Sequence, residues 1–484
     1  MTEAKSKLRA ASFSAVRWTS VAMVGRTVLQ FAQMAILARL LVPEDFGLMA
    51  IVLSIMAFTQ VFADFGISSA IIHFKEISRS QLSTLYWLNL MVGLLLMTII
   101  LILSYPLSHL VFNKPNVQPL LMVMSISVLF MTVGQQIRVM AEKELRFPII
   151  AKVEIVASII AFSTSLIWAI LIPSAYALVA GIVAMESSKA LLLWFFARDG
   201  WKPEFHFKLN EINHFVKFGS YILLTNLVNS VNSQADVLIA GRVFPTATLG
   251  LFSLPRNLSL KIGGIINPVV TRVGLPVMAE AQNDLELLRT IYLKIMRMTA
   301  SINFPIYVAL AFFSKDVVEI LFGSKWIDAD SILKLLAVWG MFRSCSNPVG
   351  GLLVAVGKAR LSFFWNVLLL FIVPPTLWIA SKSGVNVLAA AEALLAAFLL
   401  IPGWYFLVRP STGIGGAEYA MSLLIPFGCA ASSVGLAYTM VAPIDFPAYR
   451  LLVGGGIAVP AYFAVSALVN RTWLKAMFRL VANH

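Results

Sequence analysis

Arg26, Gln30 and Gln33 stand in the middle of an otherwise apolar stretch, spaced four and three residues apart. In a helix that spacing puts all three on one face. A guanidinium at membrane depth is costly unless it faces protein, water or an anion, and arginine suits two-pronged contacts with phosphate oxygens. Amides beside it can read hydroxyl groups. The chemistry on offer is recognition of a polar anionic headgroup, with no bond made or broken. A second polar face follows about 200 residues on: Asn229, Asn232 and Asp236, led by Thr225, with Asn226 to one side. Arg256, Asn257 and Asn267 come next, then Asn303 before Pro305, then Arg343 and Asn347 one turn apart with Pro348, Gly350 and Gly351 behind them. A helix with that last sequence is expected to bend or to offer closely packed backbone.

Other ionisable residues fall inside apolar runs: Asp64, Glu154, Glu186, Lys189 and Glu392, with Glu186 and Lys189 spaced to pair with each other. Plainer roles exist for several polar groups. Arg17, Arg39, Arg242 and Arg272 sit at run ends, where a long side chain reaches the interface. Asn267 and Asn303 can bridge two helices. Asp236 reads equally as a counter-ion to Arg26 or as a cation-coupling site.

The elements that must hold these groups are membrane helices. Of 484 residues, 59% are hydrophobic and 12% charged, whereas soluble domains carry roughly a quarter charged. A crossing helix needs about 20 largely apolar residues, because its backbone groups must be satisfied internally. Runs of that kind fall near 15–38, 46–72, 84–104, 118–140, 150–170, 174–197, 217–241, 249–270, 292–313, 329–353, 361–381, 385–408, 418–440 and 449–469. The fold class is therefore an all-α integral membrane protein of about 14 transmembrane helices. Pro173 between the fifth and sixth runs marks a tight hairpin. The segment 272–291, with an acidic run from Glu280 to Glu286, reads as a short amphipathic helix at the interface.

The formal charge is +14, but the basic residues sit singly in short links, which argues against nucleic acid and for topology. Lys75, Arg79, Lys143, Arg146, Lys152, Arg198, Lys202, Lys208, Lys217, Arg272, Arg289, Lys294, Arg297, Lys358, Arg360, Arg471, Lys475 and Arg479 fall in or beside links on one side. Retention of basic residues on the cytoplasmic face then places both termini in the cytoplasm, with residues 1–17 (Lys5, Lys7, Arg9, Arg17) as a lead into a retained first span. Cys345 and Cys429, each within an apolar run, read as buried small hydrophobes.

Ala38-Arg39-Leu40-Leu41-Val42-Pro43 with Phe46-Gly47-Leu48 resembles Ala240-Gly241-Arg242-Val243-Phe244-Pro245 with Leu249-Gly250-Leu251, and Leu145-Arg146-Phe147 resembles Ala359-Arg360-Leu361. Six spans separate the matched features, so the repeat is parallel. The expected organisation is a first lobe at 1–197, a cytoplasmic link at 198–216, a second lobe at 217–408, and two appended helices with a tail at 409–484. Among soluble-enzyme signatures there is no P-loop, no HExxH and no nucleophile elbow, and His73, His109, His206, His214 and His484 are not clustered. No catalytic residue, metal ligand or cofactor is expected.

Several ordered motifs carry a family resemblance: Lys75-Glu76-Ile77-Ser78 with Thr84-Leu85-Tyr86-Trp87-Leu88-Asn89; Gly134-Gln135-Gln136-Ile137-Arg138 with Lys143-Glu144-Leu145-Arg146-Phe147; Asn267-Pro268-Val269-Val270-Thr271-Arg272-Val273; Phe322-Gly323-Ser324-Lys325-Trp326; and Arg343-Ser344-Cys345-Ser346-Asn347-Pro348-Val349-Gly350. Through nearly its whole length the chain resembles bacterial lipid-linked oligosaccharide flippases of the multidrug/oligosaccharidyl-lipid/polysaccharide exporter superfamily, specifically colanic-acid-type Wzx exporters. The resemblance implies fourteen helices in two lobes, a V shape, alternating access and an inner-membrane location. Its implied substrate is an undecaprenyl-diphosphate-linked repeat unit, moved to the periplasmic leaflet for exopolysaccharide or lipopolysaccharide synthesis. Membrane lipids, a polysaccharide polymerase and glycosyltransferases are the expected partners, and a proton or sodium gradient the expected drive. Carried over by residue, the first helix's inward basic group falls on Arg26, and those of the second lobe on Arg256 or Arg343. Gln135, Gln136 and Arg138 match without an assigned role. The full set expected at the substrate is Arg26, Gln30, Gln33, Asn229, Asn232, Asp236, Arg256, Arg343 and Asn347. The rival within the superfamily is a cation-coupled small-molecule or multidrug exporter, which would want an acidic pocket. A polymerase or ligase would want catalytic groups in long external loops, and a scaffold would need no polar faces in matching halves.

Overall fold

The computed structural model describes residues 2–64, 68, 71, 72, 74, 77–471, 473 and 474. Lys75, Glu76, His73, Lys475, Arg479 and His484, and the side chains of Lys5, Lys7, Arg9, Arg17 and Arg272, lie outside what it describes. Each apolar run of the sequence is helical over its described residues: α1 (Thr2–Leu40), α2 (Pro43–Asp64), α3 (Arg79–Tyr105), α4 (Val117–Lys143), α5 (Phe147–Leu171), α6 (Tyr176–Phe196), α7 (Asn213–Val243), α8 (Thr246–Glu280), α9 (Leu285–Phe312), α10 (Asp330–Ser344, resuming as Ser346–Ala355), α11 (Ala359–Ser381), α12 (Val385–Gly403), α13 (Gly416–Val441) and α14 (Pro447–Val469). No strand occurs among the described residues.

Ten of these helices, some with the turns that extend them, are long and apolar enough to cross a membrane. Their outward faces carry large apolar side chains, such as Ile102, Leu171, Phe371 and Leu394, each about 70% exposed, which only lipid can solvate. Helices α1, α7, α8 and α10 bear every residue expected at the substrate. The cost of those polar groups is thus confined to a few elements that must find protein or water as neighbours.

The chain forms two compact units, Met1–Gly250 and Leu251–His484. In the first, α5 and α6 pair where Ala161 and Ser165 meet Gly181, among buried small residues that include Ala157, Ala169 and Ala177. A methyl on Gly181 would overlap the Ser165 hydroxyl. Lipid gives no hydrophobic drive between helices, so close backbone approach and dispersion must supply it. The hairpin turn is made outside both helices: Ile172, ahead of Pro173, is pushed to extended backbone (φ −140°, ψ 87°), the usual effect of a following proline.

The elbows joining α1 to α2 and α7 to α8 are where the internal repeat becomes physical. A methyl built on Gly47 would overlap the Thr246 carbonyl, and one on Gly250 would overlap the Pro43 carbonyl. Equivalent positions of the two repeats therefore touch reciprocally, as across a two-fold axis. Lys114 joins the same elbow by donating to the Gly241 carbonyl at 2.6 Å, near the end of α7, where a cation suits the helix dipole. Its partial burial, with Arg242 beside it, lowers its pKa.

At the other end of this unit the link 198–216 is bolted to α3. Trp87 Nε1 donates to the Glu204 carbonyl at 2.8 Å, the Glu204 N–H donates to Ser83, and the Trp87 ring stacks on Phe205. Ser78 and Gln81 form a reciprocal cap at the start of α3, satisfying amides that the helix cannot. Leu145, at φ 57°, ends α4 and lets the Arg146 N–H reach the Ala141 carbonyl; the Arg146 guanidinium then binds the Ala197 carbonyl just past α6.

In the second unit α13 and α14 pack on α9, with Tyr462 donating to the Ser301 carbonyl and Asn470 to the Ser301 hydroxyl. The expected amphipathic helix within 272–291 is not a separate element. Helix α8 runs on to Glu280, and α9 begins at Leu285 with Asp284 capping the Leu287 N–H at 3.0 Å; the acidic run is the turn and cap between two long helices. The link that follows α9 folds instead, as a short helix Ser314–Leu321 and a tight turn Ser324–Ala329 that buries Trp326. Gly323, at φ 91°, makes that turn. Asp316 on the short helix is buried and meets Arg450 of α14 at 3.1 Å, while Arg450 also donates to the Ile444 carbonyl. Burial raises the Asp316 pKa, and Arg450 pulls it partly back.

Gly47→Ala or Gly250→Ala should each lower stability by about 1–3 kcal/mol, the usual range for overpacking, read as a lower Tm of detergent-purified protein. Arg450→Ala should destabilise by about 3 kcal/mol by stranding a buried carboxylate. Because Asp316 already sits above its ordinary 3.8, losing its cation raises it further, and a raised acid is least harmful when protonated. The Arg450→Ala deficit in Tm should therefore shrink as pH falls from neutral.

Candidate functional site

Helix α1 runs alongside α5, and its polar face is turned partly toward that neighbour. Gln33 Nε2 donates to the Ser165 hydroxyl at 3.0 Å, and one helix stretch earlier Arg26 Nη1 approaches Glu154 Oε2 at 3.5 Å. The other oxygen of Glu154 faces Arg138 Nη2 of α4 at 3.3 Å, and the same nitrogen lies 3.1 Å from Glu142. One carboxylate thus bridges two arginines from two helices. Glu154 is only 17% exposed, while the Arg26 and Arg138 side chains are 41% and 44% exposed, so the cationic groups open outward from a shielded anion. Lys152, on α5, lies over the Trp18 ring at 5.6 Å. Gln30 is half-buried on the same helix as Arg26.

The counter-ion facing Arg26 is Glu154, and Asp236 does not take that part. Helix α7 packs on α2, where Ser54 donates to Gln234, and Asp236 is buried there, accepting from the Val237 N–H at 2.8 Å. Asn232 is half-buried and Asn229 exposed on that helix.

In the second unit Arg256 and Arg343 share an aromatic partner. Their guanidinium carbons lie 5.8 Å and 5.1 Å from the Trp339 ring centre, within cation–π range. Arg256 is buried and Arg343 exposed. Asn347 donates to the Thr271 hydroxyl at 2.6 Å and to the Asn267 carbonyl at 3.3 Å, and Asn303 reaches Asn267 at 3.4 Å. These amides brace α8, α9 and α10 together. The interruption of α10 at Cys345 follows from Pro348, which cannot bond back to the Ser344 carbonyl and crowds it. Cys345 and Cys429 are both buried thiols without a disulfide.

A partly open cavity of about 180 Å³ lies in the first unit, lined by residues that include Met56, Met124, Met131 and Met185 with Gln60 and Glu186. Ligand pockets usually hold about 300–1,000 Å³, so this one is too small for an oligosaccharide. Its carboxylate is held by Lys189 at 2.8 Å, the pairing their spacing predicts.

Arg138 and Glu154 are the groups that reading by position underrated. The Gly134-to-Arg138 motif ties one turn of α4 to three neighbours: Gln135 binds Asp64, Gln136 donates to the Leu82 carbonyl at 2.7 Å, and Arg138 meets Glu154. The placement of Glu154 inside a span was the available signal. An ion so placed needs a partner, and its spacing does not name one.

The sequence pattern of the polysaccharide biosynthesis protein family matches residues 36–331. The chain belongs to that family. It is 30% identical over 439 residues to the lipopolysaccharide biosynthesis protein WzxC of Escherichia coli K12, covering 90% of this chain and 88% of that one. Among solved structures it resembles the lipid II flippase MurJ in an inward closed conformation, with TM-score 0.75 and 16% identity over 94% of this chain and 99% of that one. It also resembles an inward-facing multidrug resistance MATE family transporter of the MOP superfamily, at TM-score 0.61 and 15% identity over 82% and 98%. The fold is thus that of MurJ and the MATE transporters, and the sequence kinship lies with polysaccharide biosynthesis proteins.

If the Asn347 amide is a brace between helices, Asn347→Ala should cost about 1–2 kcal/mol of stability from lost buried hydrogen bonds. A lower Tm with unchanged substrate KM in the surviving protein checks this; a raised KM at unchanged Tm would show a substrate contact instead.

Proposed function

We propose that this protein translocates undecaprenyl-diphosphate-linked oligosaccharide repeat units from the cytoplasmic to the periplasmic leaflet of the bacterial inner membrane by alternating access, for exopolysaccharide or lipopolysaccharide synthesis. The observation that carries the reading is the arginine pair at Arg26 and Arg138, partly exposed within apolar helices and sharing a single shielded carboxylate. Fixed guanidinium groups in a low-dielectric setting favour a mobile anion with several oxygens. A lipid-linked diphosphate brings that anion while its polyprenyl tail stays in the bilayer. Gln30, Asn229 and Asn232 are amides for its sugars, and within the second unit Arg256 and Arg343, gathered on Trp339, offer the same kind of cationic chemistry. Kinship with WzxC, named for lipopolysaccharide biosynthesis, and the fold of a lipid II flippase support the same class of cargo.

Transport leaves the substrate's bonds intact, so the proposal includes no catalytic residue and no cofactor; a proton or sodium gradient drives the cycle. Both termini lie in the cytoplasm, where the glycosyltransferases that build the repeat unit work, and the polymerase receives it on the other side. The multidrug rival would need an acidic chamber for cations. The Glu186 carboxylate at the methionine-lined cavity is already neutralised by Lys189, which favours the anionic cargo.

In proteoliposomes loaded with a glycan-diphospho-undecaprenol, wild-type protein should expose the lipid to an enzyme or reagent confined to the opposite leaflet. Arg26→Ala at equal membrane abundance should slow this about ten- to a hundredfold, the worth of one charge-assisted hydrogen bond of about 1.5–3 kcal/mol. Undiminished flipping by Arg26→Ala would reject the assignment.

A further inference from the structure

Two guanidinium groups from different helices share one carboxylate, and the geometry is loose. Charge-assisted N–H···O bonds settle at about 2.7–2.9 Å; Glu154 stands 3.5 Å from Arg26 and 3.3 Å from Arg138. Neither contact is two-pronged. Among the described residues, Glu154 engages Nη1 of Arg26 and Nη2 of Arg138, and Glu142 shares that same Arg138 nitrogen at 3.1 Å. A guanidinium has five N–H donors, so most of each fork faces elsewhere, on side chains about two-fifths exposed.

The geometry points to Glu154 as an exchangeable anion: it bridges Arg26 and Arg138 until a diphosphate displaces it, so that Arg138 becomes the second phosphate-binding arginine and Glu154 a specificity-determining competitor. The inference rests on the transport reading and names how its headgroup is held. A carboxylate offers two oxygens to two forks, whereas a diphosphate offers more acceptors and at least one more negative charge. A monophosphate or sulfate gains less, so the exchange selects the diphosphate. Because bound diphosphate and Glu154 contend for the same donors, each weakens the other's hold, as linkage requires. The internal carboxylate then also helps expel the headgroup after the cycle, keeping affinity low enough for release. Glu142 and Lys152, the other charges on the facing turns of α4 and α5, remain in place throughout. Glu142 keeps its bond to Arg138, and Lys152 keeps its station over Trp18.

The test uses the full-length protein in detergent, titrated with inorganic pyrophosphate, orthophosphate or sulfate at matched ionic strength. Glu154→Gln should bind pyrophosphate at least about tenfold more tightly than wild type, equivalent to about 1.4 kcal/mol, with little gain for sulfate. Glu154→Gln combined with Arg138→Gln should lose that gain, and with Arg138→Lys should keep only part of it, since lysine lacks the fork. Glu154→Asp, which shortens the bridge while keeping the charge, should show a smaller gain and guards against a poorly folded Gln variant. In proteoliposomes Glu154→Gln should lower both KM and kcat for the lipid-linked substrate. Undecaprenyl diphosphate in the bilayer should compete with pyrophosphate; competition by a soluble nucleoside diphosphate alone would assign the site to an aqueous ligand and overturn the lipid source. Glu154→Gln binding no tighter than wild type, or a gain that survives loss of Arg138, would leave Glu154 as a structural counter-ion and overturn the exchange. Wild-type flipping with no Glu154 effect sinks only the exchange. Intact pyrophosphate exchange without flipping sinks only the transport reading.

Discussion

A charge placed among lipid-facing helices has to be answered by the protein or its cargo, and Glu154 shows how this molecule meets that constraint. One shielded carboxylate answers two arginines, loosely, on a face that opens outward. The contrast with Arg450 and Asp316 is instructive. There a buried acid meets its cation at 3.1 Å, and backbone carbonyls take further donors of the same guanidinium. The first arrangement leaves donors for another anion, and the second uses them to hold a short helix against a long one. The same side-chain chemistry is thus left open or used for bracing according to how completely it is satisfied.

Bringing helices together in lipid is a separate problem, because apolar side chains gain little from touching each other rather than acyl chains. The first unit solves it with small residues. The α5–α6 seam of alanine, serine and glycine and the reciprocal glycine contacts at the α1–α2 and α7–α8 elbows let backbones approach to the limit of their carbonyls. Those elbows also tie two equivalent pieces of an internal repeat to each other, so their residue types are constrained from both sides at once.

The motifs that carry the family resemblance prove to be largely joinery. Thr84 and Trp87 fasten the 198–216 link to α3, Gln136 fastens α4 to α3, Arg146 closes the end of α6, and Asn347 braces α8. These are polar side chains satisfying backbone groups at helix ends and between helices. Arg138 stands apart within its motif, since it faces a carboxylate shared with Arg26.

Membrane placement, helix positions and the polar faces were legible from the chain alone, because backbone satisfaction in hydrocarbon leaves only helices of a set length, and any charge within them stands out. Gly47 and Gly250 could be matched by pattern, and Glu186 with Lys189 by spacing, since both signals are local. The partner of Arg26 was not legible. Glu154 lies 128 residues away, and whether it or Asp236 faces that arginine depends on α5 lying beside α1 while α7 packs on α2. The acidic run before α9 likewise suits a surface helix or a cap equally well until the length of α8 is known. Composition and periodicity decide what a segment can be, whereas only the packing of segments distant in sequence decides which charges meet.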